Sequence, residues 1–147
     1  MNDGIVDISD KKISRRESIA EGKIVLKKNT IEEIKNKRIK KGDVFEAAKI
    51  AGILAIKNTP YTIPETHNIP IESIEFSFFI EEDGIKVRCK VKTTYKTGVE
   101  IESLNGVMVA LLTIWDMVKY LEKDEDGQYK TTLIKEIRMI EKKKDFI

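Results

Sequence analysis

Two runs in which apolar and polar residues alternate, Ile74 to Glu81 and Lys86 to Lys92, are separated only by Glu82-Asp83-Gly84-Ile85. Asp-Gly between alternating runs is the strongest short-range signal for a β-hairpin, and nothing else in the chain limits the fold as tightly. Asp83-Gly84 predicts a two-residue type I′ turn that pairs Glu82 with Ile85 and carries that register down both strands. One face then sets Phe76 opposite Val91, Phe78 opposite Cys89 and Ile80 opposite Val87, which is a core face. The other sets Glu75 opposite Lys92, Ser77 opposite Lys90 and Glu81 opposite Lys86, with Arg88 beside Phe79. That is a solvated face, stabilised by cross-strand charge pairs worth at most about 1 kcal/mol each.

A lone hairpin is unstable in water, so the remainder must cover its apolar face. After Gly98, the positions Leu104, Val107, Met108, Leu111, Leu112, Trp115 and Val118 recur at helical spacing. Val109, Ala110, Ile114 and Met117 fill its other sides, so this helix must be buried on more than one flank. One small sheet cannot do that, which predicts a partner subunit. The charge-free stretch at its centre, Ser103 to Trp115, is shorter than the roughly 18 residues of a membrane span.

Upstream, Lys23 to Lys27 alternates as a strand, and residues 1–22, polar and without periodicity, predict an arm that orders only by docking. Thr30 with Glu33 predicts a capping box for a helix ending near Arg38, and Asp43 with Glu46 another for a helix ending near Lys57. All three prolines fall between Thr59 and Pro70, which predicts an irregular loop. A final strand is expected at about Thr132 to Glu141. Strand, two helices, hairpin, helix, strand is the order of an α+β ferredoxin-like sandwich, an antiparallel sheet with helices packed on one face. With 147 residues the chain predicts a single domain, an arm over 1–22 and a ferredoxin-like core over 23–147.

Charge narrows the function classes. With 27 basic and 25 acidic residues, the net charge of +2 gives no reason to expect nucleic-acid or membrane attraction. The single cysteine, Cys89, excludes an intramolecular disulfide and a multi-cysteine metal site and suits a reducing compartment, so a cytoplasmic protein is expected. No metal-ligand pattern, Gly-rich phosphate loop or Ser/His/Asp order is present.

Polar groups that the fold does not require fall in a few places. Asp116 and Lys119 share one helix face beside apolar neighbours, where partial desolvation makes their pKa values tunable. Glu100 and Glu102 lie at the start of the same helix, where acidic residues also offset the macrodipole. His67, the only histidine, sits in the proline-bounded loop and suits a general acid or a phosphate donor. Lys41-Gly42-Asp43 sets an ammonium just before a capped helix start, an arrangement equally read as an anion site or as part of the solvated run Lys37 to Lys41.

Taken in order, the blocks Val6-Asp7-Ile8-Ser9, Lys41-Gly42-Asp43-Val44-Phe45, Ala48-Lys49-Ile50-Ala51-Gly52, Ile63-Pro64 with His67, Lys96-Thr97-Gly98-Val99-Glu100 with Glu102, and Leu112-Thr113-Ile114-Trp115-Asp116-Met117 with Lys119 span nearly the whole chain. In these blocks the chain resembles the cyclic pyranopterin monophosphate synthase family of molybdenum cofactor biosynthesis. The resemblance implies a ferredoxin-like fold assembled as a homohexamer, a trimer of dimers, with sites at subunit interfaces. It implies a lyase that takes 3′,8-cyclo-7,8-dihydro-GTP, the product of a radical S-adenosylmethionine enzyme, to a cyclic phosphate with release of pyrophosphate. No cofactor is implied.

Carried over by residue, Asp116 and Lys119 are similar to the family's acid/base pair, and Lys41 and His67 to its catalytic and phosphate-contacting groups. Asp7, Glu100 and Glu102 match its pocket carboxylates, and Lys57 and Lys142 further basic positions. The chain departs from the family pattern in two places: Thr66-His67-Asn68 stands where Cys-His-Pro is usual, and Lys143-Lys144-Asp145 replaces a Gly-rich loop. Two other classes fit less well. A non-catalytic relative would not need to keep Asp116, Lys119, Lys41, Glu100 and Glu102 together. A ferredoxin-like RNA-binding domain needs paired exposed aromatics, and Phe79 stands alone.

Overall fold

In a computed structural model, residues 4–146 are described. Strand β1 (Ser14–Val25) leads into helices α1 (Lys28–Lys35), α2 (Val44–Lys57) and the single turn α3 (Thr59–Thr62). The hairpin β2 (Ser73–Glu81) and β3 (Gly84–Tyr95) follows, then helix α4 (Glu100–Glu122) and strand β4 (Leu133–Phe146). The strands form one antiparallel sheet in the order β2-β3-β1-β4, with the helices on one side, as a ferredoxin-like α+β sandwich requires.

The first correction concerns the arm. Strand β1 starts at Ser14 rather than Lys23 and lies inside the sheet, between β3 and β4. Its positions against the helix layer, Ser14, Ser18, Ala20 and Gly22, are small or hydroxylated, so no apolar alternation marks them. Small residues suffice because α4 packs closely there. The buried Ser18 hydroxyl donates to Val99 O at 2.9 Å and meets Ser103 Oγ at 2.8 Å.

The hairpin exists, but its register is two residues from the expected one. Phe76 faces Cys89, Phe78 faces Val87, Ile80 faces Ile85 and Glu81 faces Gly84, so Glu82 and Asp83 form the turn. Neither Asp83 nor Gly84 takes a positive φ. Gly84 is glycine for another reason: a Cβ there would run into the Ile24 carbonyl oxygen, with Ile24 C at 3.0 Å and Val25 Cα at 3.1 Å. A two-residue slip preserves the faces, so Phe76, Phe78, Val87 and Val91 still point into the core side. Phe78 stacks on Phe45 of α2 with centroids 5.0 Å apart.

The slip changes the partners on the open face. Lys90 and Lys92 reach Glu17 of β1 at 3.4 and 3.8 Å, and Arg88 reaches Glu21 at 2.7 Å; of the expected neighbours, Lys86 keeps Glu81 at 3.4 Å and Arg88 keeps Phe79, its guanidinium 5.3 Å from the ring centroid. Burial alone would raise the Glu21 carboxyl, but the Arg88 and Arg138 guanidiniums outweigh it and hold the group below its usual range.

The capping expected at Thr30 is also replaced. Helix α1 starts earlier, at Lys28, ends at Lys35, and holds Thr30 inside it. The Thr30 hydroxyl donates instead to Glu122, a fully buried carboxylate that also takes the Thr132 hydroxyl and, at 3.0 Å, the Lys27 N–H. Glu122 thus ties the end of α4 to the starts of α1 and β4. Helix α2 begins as expected, with Asp43 accepting the Glu46 N–H at 3.0 Å. The proline-bounded loop contains the turn α3, and β4 runs to Phe146, beyond Glu141.

Helix α4 is the spine. By length and composition it could cross a membrane, but Val107, Ala110, Leu111, Ile114 and Val118 are fully buried against the sheet and α2. Along its outer side Ile101, Met108 and Leu112 stay exposed, Leu112 to 62%.

Candidate functional site

Helices α2 and α4 run antiparallel. Near the start of α4, Asn105 Nδ2 donates to Ala55 O at 3.1 Å, close to the end of α2. Near the end of α4, Asp116 meets Lys41, just before α2 begins. The candidate residues therefore collect in two groups, one at each end of the helix pair.

The first group is Lys41, Asp116 and Lys119. Lys41 Nζ lies 2.8 Å from Asp116 Oδ2, and Lys119 Nζ 3.2 Å from Asp116 Oδ1, so one carboxylate is bracketed by two ammoniums. Lys41, then Lys119, hold the Asp116 carboxyl below its ordinary range. In the isolated chain all three side chains are about half exposed, which corrects the expectation of a desolvated pair. The exposed apolar residues Met108 and Leu112 precede Asp116 on α4 at intervals of four, so they share its helix face.

The second group surrounds the start of α4. Glu102 is buried, and that burial, reinforced by the negative charge of Glu100, pushes its carboxyl up, while His67 acts in the opposite direction. Lys142 of β4 lies 3.3 Å from Glu100. His67 Nε2 is 2.7 Å from the Val6 carbonyl oxygen, and Lys96 Nζ donates to Ser9 O at 3.1 Å, so two side chains strap residues 6–9 across this end. Within that strap, the Ser9 hydroxyl and N–H hold the Asp7 carboxyl below its usual range. Lys57 lies exposed at the C-terminal end of α2, the end at which Asn105 meets Ala55.

Two cations absent from the sequence-based site also belong to this end. Arg16 Nε donates to Ser14 Oγ at 2.7 Å and its Nη2 approaches Lys96 O at 3.5 Å, while Lys96 itself carries the strap. Lys96 falls within the block Lys96-Thr97-Gly98-Val99-Glu100 but carries no role there, and no motif marks Arg16, which lies in the stretch expected to be an arm. Cys89 is not a nucleophile: burial alone pushes its thiol up to about 12. Among the described residues, no three His, Cys, Asp or Glu side chains cluster so as to hold a metal ion.

The chemistry of the two groups is complementary. One offers an ionised carboxylate between movable ammoniums, able to exchange protons and to face an anion. The other offers carboxylates of shifted acidity, an imidazole and several cations around the strapped start of α4. Fold and site define a ferredoxin-like α+β protein with lysine–carboxylate clusters at both ends of one core helix. The MoaC family model matches residues 5–145. A probable cyclic pyranopterin monophosphate synthase of Sulfurisphaera tokodaii is 58% identical over 142 residues, covering 97% of this chain and 94% of its own. One of Archaeoglobus fulgidus is 57% identical over 140 residues, covering 95% and 90%. One of Thermoplasma acidophilum is 49% identical over 140 residues, covering 95% and 98%. This chain belongs to the MoaC family.

Proposed function

We propose that the chain is a cyclic pyranopterin monophosphate synthase, a lyase that converts 3′,8-cyclo-7,8-dihydro-GTP into cyclic pyranopterin monophosphate and pyrophosphate. The observation that carries the reading is Asp116 held between Lys41 and Lys119 at 2.8 and 3.2 Å. Closing the cyclic phosphate requires a hydroxyl oxygen of the substrate to attack the α-phosphorus while the bond to the pyrophosphate oxygen breaks. The hydroxyl proton needs an acceptor, and the pyrophosphate needs cations as its charge grows. Asp116, kept ionised, is the acceptor available, and Lys41 and Lys119 can pass protons during the ring rearrangement. His67, Lys57 and Lys142 supply cationic or donor groups for the phosphates, and Asp7, Glu100 and Glu102 line the pocket.

The same proposal includes the assembly. Along α4, Glu102 and Asp116 stand about 21 Å apart at about 1.5 Å per residue, too far to share one substrate within a chain. A second copy laid antiparallel on the exposed stripe Ile101, Met108 and Leu112 would cover those apolar side chains and bring Asp116 of one chain to the Glu102 end of the other. Two complete sites per dimer result, and three such dimers make the homohexamer. The substrate is supplied by a radical S-adenosylmethionine enzyme.

Incubating the purified protein with the cyclic GTP intermediate tests the activity directly. A pterin phosphate and pyrophosphate are the expected products. Binding of the intermediate without release of pyrophosphate would establish a binding module instead.

A further inference from the structure

Lys41 stands at the tip of a tight turn between α1 and α2. Gly42 N–H donates to Ile39 O at 3.1 Å, and Gly42 takes a φ of 113°, left-handed backbone that favours glycine. Ile39 plugs the turn into the core, and Asp43 caps the helix that follows. These contacts fix the turn to α1 and α2. Asp116, however, stands on α4, and an exposed ion pair is too weak to hold a mobile lysine stem in one geometry.

Tyr120 of α4 joins the backbone of the turn to that helix. Its phenol oxygen accepts the Lys40 N–H at 3.0 Å, and its ring lies 5.0 Å from the Lys40 ammonium. Both contacts fall on the residue just before Lys41, and Tyr120 lies one helical turn beyond Asp116. We propose that Tyr120 is a positioning residue: by pinning the Lys40 peptide to the end of α4, it sets the Lys41 ammonium against the Asp116 carboxylate. The proposal rests on the reading of Lys41 and Asp116 as reacting groups.

The test pairs Tyr120→Phe, which keeps the ring over Lys40 and removes only the acceptor oxygen, with a Lys41→Ala background. Two quantities are measured: the titration midpoint of the Asp116 carboxyl, by carbon NMR on aspartate-labelled protein, and kcat on the cyclic GTP intermediate. Lys41 is the first cause of the low Asp116 midpoint, so loosening Lys41 must move that midpoint upward. In Tyr120→Phe the midpoint should rise and kcat should fall about two- to tenfold, the span of one neutral hydrogen bond, with the fold unchanged. In the Lys41→Ala background Tyr120→Phe should move the midpoint no further. An unchanged midpoint in Tyr120→Phe, or a shift that persists without Lys41, overturns the positioning role. A shifted midpoint with wild-type kcat overturns instead the reading of Lys41 and Asp116 as reacting groups.

Discussion

Glu102 and Asp116 lie on one unbroken helix, α4, the first buried at its start and the second half exposed near its end. Asp116 is held by Lys119 of the same helix and by Lys41 from before α2, Glu102 feels His67 of the proline-bounded loop, and neither carboxylate can reach the other within a chain. If one chain supplies each half of a site, inactive variants should complement. Asp116→Asn and His67→Ala subunits, co-expressed at equal levels and purified together, should form mixed dimers holding one wholly wild-type site and one doubly damaged site. Random pairing then restores about a quarter of wild-type turnover from two inactive parents. Turnover no greater than that of the parents would place both halves of the site in one chain.

Asp116 separates a structural ion pair from a working one. Asp116→Asn should lower turnover by on the order of 10²–10⁴. Lys41→Ala should weaken substrate binding or turnover with the fold intact, because the Lys41 side chain is about half exposed. The carboxyl of Asp116 is held low by Lys41 and Lys119, so its stabilising contribution is present above the ordinary Asp value and fades as pH falls through the lowered one. Wild type and Asp116→Asn should therefore differ in stability only above that window and converge below it. Acid unfolding curves of the two proteins, run beside the turnover assay, check both statements.

Glu102 has the opposite sign. Its burial favours the protonated form, so the folded chain binds more protons than the unfolded one between the ordinary Glu value and the raised one. Whatever stability Glu102 contributes is complete below the ordinary value and is lost as pH rises through the raised one. Glu102→Gln should therefore be at least as stable as wild type at neutral pH, with a flatter stability profile between weakly acidic and neutral pH, while turnover falls. A Glu102→Gln protein less stable than wild type at neutral pH and equal to it in acid would contradict the burial account.

What was legible in the sequence follows from what periodicity records. Helix α4, the hairpin and the Asp43 cap each leave a local pattern of apolar spacing or capping residues, and each is present. Strand β1 leaves one only at its end, around Ile24, because Ser14, Ser18, Ala20 and Gly22 are small where the helix layer comes close, and the partners of Ser18, Val99 and Ser103, are distant in sequence. Thr30 looks like a cap until Glu122, from the far end of α4, takes its hydroxyl. Most of the candidate site residues stand in the ordered blocks, but their division between two ends of α4 depends on the antiparallel packing of α2 and α4, which no short motif encodes.

Gly84 gives the sharpest local test of that distinction. A glycine in a type I′ turn is there for its positive φ, and asparagine, which enters the left-handed region readily, replaces it at small cost while alanine does not. Gly84 has no positive φ and instead makes room for the Ile24 carbonyl, which any Cβ would strike. Backbone on both sides of the β1–β3 pair would have to move, since all three contact atoms, Ile24 O, Ile24 C and Val25 Cα, are backbone. Gly84→Ala and Gly84→Asn should consequently destabilise alike, each by about 2 kcal/mol or more, because both add the same atom in the same place. Asp83→Gly, in contrast, should cost little, since Asp83 sits in the turn and Lys23, its ion-pair partner at 2.6 Å, also holds Glu81 at 2.8 Å. Guanidinium unfolding of the three variants decides the matter: a Gly84→Asn protein close to wild type beside a strongly weakened Gly84→Ala would restore the left-handed turn at Asp83-Gly84 and its register.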